Sequence, residues 1–111
     1  MKDRRTPTSS ARDAAAEQAL YEAILSLRDA DECRRFFRDL LTPAELQAMA
    51  DRWSVVPLLD EGLAYRRINE LTGVSVTTVG RIARFLATGN GGYELALERT
   101  RPPAQQEPES S

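Results

Sequence analysis

The chain has 111 residues, of which 29% are charged and 41% hydrophobic, a composition typical of one soluble globular domain. It has no histidine and one cysteine, Cys33, so an intramolecular disulfide, a zinc site and a histidine-based catalytic triad lack their components. No apolar run approaches the roughly 18 residues that span a bilayer, and no secretory signal precedes the first helical pattern, so we expect a cytoplasmic protein.

Both ends of the chain differ in composition from its middle. Residues 1–12 hold four basic residues, the last of them Arg12, and almost no large apolar side chain, which predicts a disordered basic arm. Residues 101–111 are polar and contain three prolines, which predicts a disordered tail. We therefore expect one helical domain over residues 13–100.

The first two predicted elements are helices. The spacing of apolar residues predicts a helix over about residues 13–27. Asp29, followed three residues later by Glu32, is a capping-box pattern that starts a second helix running through Leu41. No segment alternates between apolar and polar residues as a strand would, so the sequence predicts an all-α fold.

The third helix has the clearest start signal. Thr42 fits the N-cap, Pro43 the first helical position and Glu45 the third. Pro57 lacks an N–H group and predicts a kink or a break in this helix. Gly62 is a candidate C-terminal cap.

Residues 65–86 (YRRINELTGVSVTTVGRIARFL) have the pattern of a helix-turn-helix motif, which we place at about 64–87. Gly73 stands where the turn requires a positive φ, and Ser75 is a good N-cap for the second helix. The apolar residues expected to hold the two helices together are Ile68, Leu71, Val74, Val79 and Ile82.

The outward-facing side of this motif carries short and basic side chains that suit DNA. We expect phosphate contacts from Arg66, Arg67 and Arg84, and base contacts from Val76, Thr77, Thr78 and Arg81. Ser75 and Gly80 complete the set of candidate DNA-binding residues.

Two questions stay open at this point. A helix-turn-helix fold also occurs in modules that bind only protein, so a protein-interaction module is the alternative function. Gly80 costs about 1 kcal/mol relative to alanine inside a helix. It could serve tight helix packing or a close approach to DNA, and the sequence favours neither.

The net charge of −2 argues at first against a nucleic-acid partner, but the charges are unevenly distributed. The arm and residues 62–86 each carry a local charge of +3. Residues 13–61 carry −6 and residues 87–111 carry −2. The chain is therefore polarised, and its basic segments coincide with the motif and the arm.

Short helices with narrow apolar stripes give little shared core to a domain of this size. The first helices carry more large apolar residues than one neighbour covers, which predicts a dimer that buries them between two chains.

Four segments resemble the TrpR-like YerC/YecD proteins, relatives of the bacterial tryptophan repressor. They are 40–46 (LLTPAEL), 52–53 (RW), 65–75 (YRRINELTGVS) and 89–93 (GNGGY). The resemblance covers about residues 20–98. It implies an intertwined all-α homodimer in which two helix-turn-helix units enter successive major grooves of double-stranded DNA.

The resemblance also bears on a small-molecule effector. Thr42, Arg52 and Arg81 match the positions that hold the corepressor in the tryptophan repressor. A glycine and a small polar residue of that protein are replaced here by Ile82 and Phe85. We expect these larger side chains to fill the indole space, so the prediction is that tryptophan does not bind.

The sequence thus predicts a homodimeric transcriptional regulator of the repressor type, with no catalytic, metal or cofactor site and no membrane partner. An enzyme is disfavoured because no nucleophile–base pair or metal-ligand cluster can be assembled.

Overall fold

A computed structural model of the chain describes residues 7–102, which form helices and no strands. The predicted all-α class is confirmed for this range. The six helices are α1 (Pro7–Leu25), α2 (Ala30–Leu40), α3 (Pro43–Asp60), α4 (Tyr65–Thr72), α5 (Val76–Thr88) and α6 (Gly92–Thr100). Their contacts define two compact units, Met1–Pro43 and Ala44–Ser111. None of the helices in residues 7–102 is both long and apolar enough to cross a membrane.

Helix α1 begins earlier than the sequence predicts. Residues 7–12, assigned to the disordered arm, belong to this helix, and residues 1–6 lie outside the described range. Proline is favoured in a first helical turn, and alanine-rich sequence after it propagates the helix well, which explains the earlier start. The helix ends at Leu25, two residues before the predicted end.

The predicted cap of α2 is confirmed. The Asp29 carboxylate accepts a hydrogen bond of 2.9 Å from the backbone N–H of Glu32. The Glu32 carboxylate reaches back to the N–H of Arg28, also at 2.9 Å. The first bond satisfies one N–H group that the helix start leaves unpaired, and the second ties the residue before the cap to the first turn.

Apolar side chains of the N-terminal unit remain largely uncovered by their own chain. No hydrophobic residue of α2 is buried, and Leu25 at the end of α1 is 83% exposed. The rings of Phe36 and Phe37 contact each other edge to face, with centroids 5.4 Å apart, and both are half-buried. Within residues 9–43, this unit has apolar surface and no buried hydrophobic side chain.

Helix α3 starts at Pro43 as predicted but continues through Pro57 to Asp60. Of the kink or break predicted at Pro57, the break is therefore wrong. Val55 and Val56, just before the proline, are completely buried, and this burial offsets the backbone hydrogen bond that the proline removes.

The predicted cap at Gly62 is confirmed. Gly62 has φ +86° and donates its N–H to the carbonyl of Leu59 at 2.9 Å. The N–H of Leu63 reaches the carbonyl of Leu58 at 3.2 Å. This pair of bonds is the Schellman arrangement that terminates many helices.

One core holds the C-terminal unit together. It comprises Val55, Val56, Ile68, Val74, Val79, Ile82 and Leu97, contributed by α3 to α6 and the turn after α4. Leu71, predicted to face this core, is instead 51% exposed. Ile68 is the one buried side chain of α4, so a smaller part of this helix faces the core than its apolar pattern indicates.

The last helix is tied back to α3 through Arg101. Its guanidinium contacts Asp60 at 2.8 Å and Glu98 at 3.0 Å. Arg101 was predicted to begin the disordered tail, but these ion pairs attach it to the folded unit. The rest of the predicted tail, from residue 103, lies outside the described range.

Candidate nucleic-acid interface

The turn between α4 and α5 has the backbone geometry that the sequence predicts. Gly73 has φ +79° and donates its N–H to the carbonyl of Asn69 at 2.8 Å, which ends α4. Val74, which follows it, is buried between the helices. A residue with a Cβ is strained at this φ, so glycine sets the direction in which α5 leaves the turn.

Two polar side chains that the sequence analysis did not single out hold this turn in place. Asn69 donates its side-chain amide to the carbonyl of Val74 at 2.9 Å. The Thr72 hydroxyl donates to the carbonyl of Ile68 at 2.8 Å and accepts the N–H of Val74 at 3.1 Å. Asparagine and threonine next to a glycine turn are the sequence signal for such local bonds.

Ser75 caps α5 as predicted. Its hydroxyl oxygen accepts the N–H of Thr78 at 3.2 Å and donates its own proton to the Thr78 hydroxyl at 3.0 Å. Thr78 is half-buried, and its hydroxyl already takes part in the cap. Thr77, which is exposed, is the more available of the two threonines for a partner.

One side of α5 is open and lined by short side chains. Val76, Thr77 and Arg84 are exposed, and Gly80 lies between them at helical spacings of three and four residues. This side of the helix, defined by Val76, Thr77 and Gly80, is called here the reading face. Its small side chains allow a close approach by a flat surface.

Arginines flank the reading face on α4 and α5. Arg66 and Arg84 are exposed and have no ion-pair partner within residues 7–102. Arg67 contacts the carboxylate of Glu70 at 3.2 Å, in a pair that is more than half exposed on both sides. Such an exposed pair is weak, so all three guanidinium groups are available to an anionic partner.

Two of the predicted base-reading residues, Thr78 and Arg81, also line a cavity. The cavity has a volume of about 570 Å³ and is formed by α3, α5 and the start of α6. The remaining lining residues are Arg52, Ile82, Phe85, Asn90, Gly92 and Tyr93. The nine residues predicted to bind DNA are thus found on the reading face, among the flanking arginines, at the cap of α5 and at this cavity.

The cavity corrects one expectation about tryptophan. Ile82 and Phe85 were expected to fill the space near Arg52 and Arg81, but the space is open, and Phe85 is 56% exposed at its edge. The volume falls within the range of ordinary small-molecule sites. Thr42, the third position matched to the corepressor site, precedes α3 and is not among the lining residues.

Packing within residues 7–102 does not require a glycine at position 80. A Cβ built on it would lie 3.8 Å from Cε2 of Tyr65, which is an ordinary van der Waals contact. Tight helix packing is therefore disfavoured as the explanation of Gly80. The other explanation, a close approach of a partner to α5, is favoured.

Comparison with known proteins identifies the class to which this arrangement belongs. The family model of the Trp repressor protein matches residues 15–101, and the chain belongs to the Trp repressor family. The family is one of transcription regulators, so membership indicates a DNA-binding regulator. The matched range includes all of α4, α5 and the turn between them.

One relative by sequence and two solved structures are similar to this chain over most of its length. The chain is 46% identical over 82 residues to the uncharacterized protein YerC of Bacillus subtilis strain 168, covering 74% of this chain and 79% of that protein. It superposes on the crystal structure of a TrpR-like protein from Eubacterium eligens with a TM-score of 0.75 and 38% identity, covering 85% of this chain and 94% of that one. A structure from Staphylococcus aureus gives a TM-score of 0.73 and 38% identity, covering 77% and 85%.

Proposed function

We propose that this chain is a sequence-specific DNA-binding transcriptional repressor that acts as a homodimer and does not use tryptophan as its corepressor. The observation that carries the proposal is the reading face of α5, which is open and lined by short side chains between two arginines, Arg66 and Arg84, that have no ion-pair partner within residues 7–102. A helix of this kind fits a major groove, and the flanking cations fit the phosphates beside it.

Each part of the surface has a distinct role in this proposal. Arg66, Arg67 and Arg84 bind phosphates, while Val76 and Thr77 contact base edges and thymine methyl groups. Ser75 and Thr78 support the start of α5 through the cap, and Gly80 lets the helix come close to the DNA. Arg81 stands at the edge of the cavity beside α5.

The homodimer is supported by the uncovered apolar side chains of α1 and α2. A second copy of the chain supplies matching apolar surface, because an interface between identical chains uses the same patch twice. Two copies also present two reading faces, as a two-fold symmetric DNA site requires. The basic residues before α1 add affinity that does not depend on DNA sequence.

A paired substitution tests the assignment to DNA. Arg66→Ala is expected to weaken binding to every duplex and to lower the slope of log K against log salt by about one unit, because one phosphate contact is lost. Thr77→Ala is expected to cost about 1–3 kcal/mol on the preferred site alone. Fluorescence anisotropy on a selected site and on a random duplex, across a salt series, measures both.

Arg99→Ala removes an exposed arginine of α6, outside the proposed surface, and is the matched control. Equal losses for Arg66→Ala and Thr77→Ala on both duplexes contradict the division of roles. If the unmodified protein binds neither duplex at low salt, the protein-interaction module is the better explanation.

Independence from tryptophan rests on the lining of the cavity rather than on its volume. Ile82 and Phe85 line the cavity beside Arg52 and Arg81, at the two positions where the resemblance places a glycine and a small polar residue in the tryptophan repressor. Isothermal calorimetry with tryptophan is expected to show no saturable heat. Saturable binding at micromolar concentration overturns this part of the proposal.

A further inference from the structure

Tyr65 lies at the reading face although it belongs to the other helix of the motif. It is the first residue of α4, and its Cε2 atom lies 3.8 Å from the position that a Cβ on Gly80 would occupy. Cε2 is bonded to the carbon that carries the phenolic hydroxyl. The phenol is therefore next to the one position of the reading face that has no side chain.

The fold makes little use of this side chain. Tyr65 is 43% exposed and is not part of the core, to which α4 contributes Ile68. Its hydroxyl has no hydrogen-bond partner within residues 7–102. The other two tyrosines differ, since the Tyr21 hydroxyl donates to the Glu17 carboxylate at 2.7 Å and the Tyr93 ring packs against Trp53.

The neighbours of Tyr65 indicate which partner its hydroxyl suits. Arg66 follows it in sequence and Arg84 lies one helical turn beyond Gly80, and both are exposed cations without an ion-pair partner in the described range. Tyrosine hydroxyls are among the groups that donate hydrogen bonds to DNA phosphates. A neutral donor beside these cations suits an anion that spans the space between α4 and α5.

We propose that Tyr65 is a DNA-contacting residue whose hydroxyl donates one hydrogen bond to a backbone phosphate where the duplex passes over the start of α4 beside Gly80. This inference rests on the proposed DNA-binding function and adds a residue to it. Gly80 contributes by leaving the phenol accessible from the DNA side. Because the donor is uncharged, the contact contributes affinity without releasing a counterion.

Removal of the hydroxyl alone is the direct test. Tyr65→Phe is expected to weaken binding about 3- to 10-fold on a random duplex and on a selected site alike, the usual effect of one lost hydrogen bond. The salt slope is expected to stay unchanged, in contrast to the loss of about one unit for Arg66→Ala. Anisotropy titrations of the full chain across a salt series give both quantities, and thermal unfolding is expected to match that of the unmodified protein.

Tyr21→Phe is the matched control, because Tyr21 has nearly the same exposure, 47%, and its hydroxyl is bonded within α1. If the unmodified protein binds DNA and Tyr65→Phe binds equally well, this inference fails and the proposed function stands. A reduced salt slope for Tyr65→Phe, or an equal loss for Tyr21→Phe, also overturns it. If the unmodified protein does not bind DNA at low salt, both proposals fail together.

Discussion

At the scale of single residues, the arginines of α4 differ in what surrounds them. Arg66 has no ion-pair partner in the described range, whereas Arg67 contacts Glu70 at 3.2 Å. Glu70 is the one acidic residue in residues 62–86, so it is the local competitor for a phosphate. The pair is exposed and is worth at most about 1 kcal/mol.

Removal of this competitor is expected to strengthen DNA binding. Glu70→Gln keeps the size of the side chain, releases the Arg67 guanidinium and removes one negative charge from the surface. We expect affinity for any duplex to rise about two- to fivefold near physiological salt, less at higher salt. The measurement is an equilibrium titration at two salt concentrations.

Glu94→Gln changes the net charge by the same amount on α6 and is expected to have a smaller effect. An unchanged affinity for Glu70→Gln, or an equal gain for Glu94→Gln, would show that Arg67 does not meet a phosphate.

At the scale of elements, two glycines of the motif are present for different reasons. Gly73 has φ +79°, and nothing lies within 4 Å of a Cβ built on it. Its conformation, not its surroundings, requires glycine. Gly80 lies inside α5 at ordinary helical geometry, and a Cβ there meets Tyr65 at a comfortable 3.8 Å.

The same substitution is therefore expected to have opposite effects on stability at the two positions. Gly73→Ala is expected to lower the free energy of unfolding by about 1–2 kcal/mol, because it forces a Cβ into the left-handed region. Gly80→Ala is expected to raise it by about 0.5–1 kcal/mol, because alanine is the better helix former. Chemical denaturation measures both values, and a destabilised Gly80→Ala protein would show that packing does require this glycine.

At the scale of the whole molecule, apolar side chains of the N-terminal unit are exposed in the single chain, and the proposed homodimer covers them. Leu25 is 83% exposed in the single chain, and Leu40 is 50% exposed. If a second copy covers this surface, a charge placed at Leu25 is buried without a partner. If the chain is a monomer, the same charge stays in water at little cost.

Leu25→Lys is accordingly expected to raise the dimer dissociation constant at least about 100-fold, since uncompensated burial of a charge costs several kcal/mol. Sedimentation equilibrium measures the constant, and the melting temperature is expected to rise with concentration for the unmodified protein.

Ala16→Lys adds the same charge to an exposed residue of α1 that lies nine positions before Leu25, on the opposite side of the helix, and is expected to leave the dimer intact. A mass near 12.4 kDa for the unmodified protein at all concentrations would contradict the homodimer.

The sequence by itself determined the features that depend on near neighbours in the chain. The caps at Asp29, Ser75 and Gly62 and the left-handed turn at Gly73 are as predicted. Each depends on backbone preference and on hydrogen bonds between residues at most five positions apart. The family resemblance was equally accessible, because the motifs that carry it are short and contiguous.

Only the tertiary structure decided which side of each helix is covered. Pro57 does not break α3, because Val55 and Val56 are buried by segments distant in the sequence. Leu71 is exposed despite its apolar spacing, and Arg81 lines a cavity together with residues of α3 and α6. The contact between Tyr65 and Gly80 joins residues fifteen positions apart. Helical periodicity shows which residues share a side of a helix, but packing against the rest of the molecule decides which sides meet the core and which stay open to DNA.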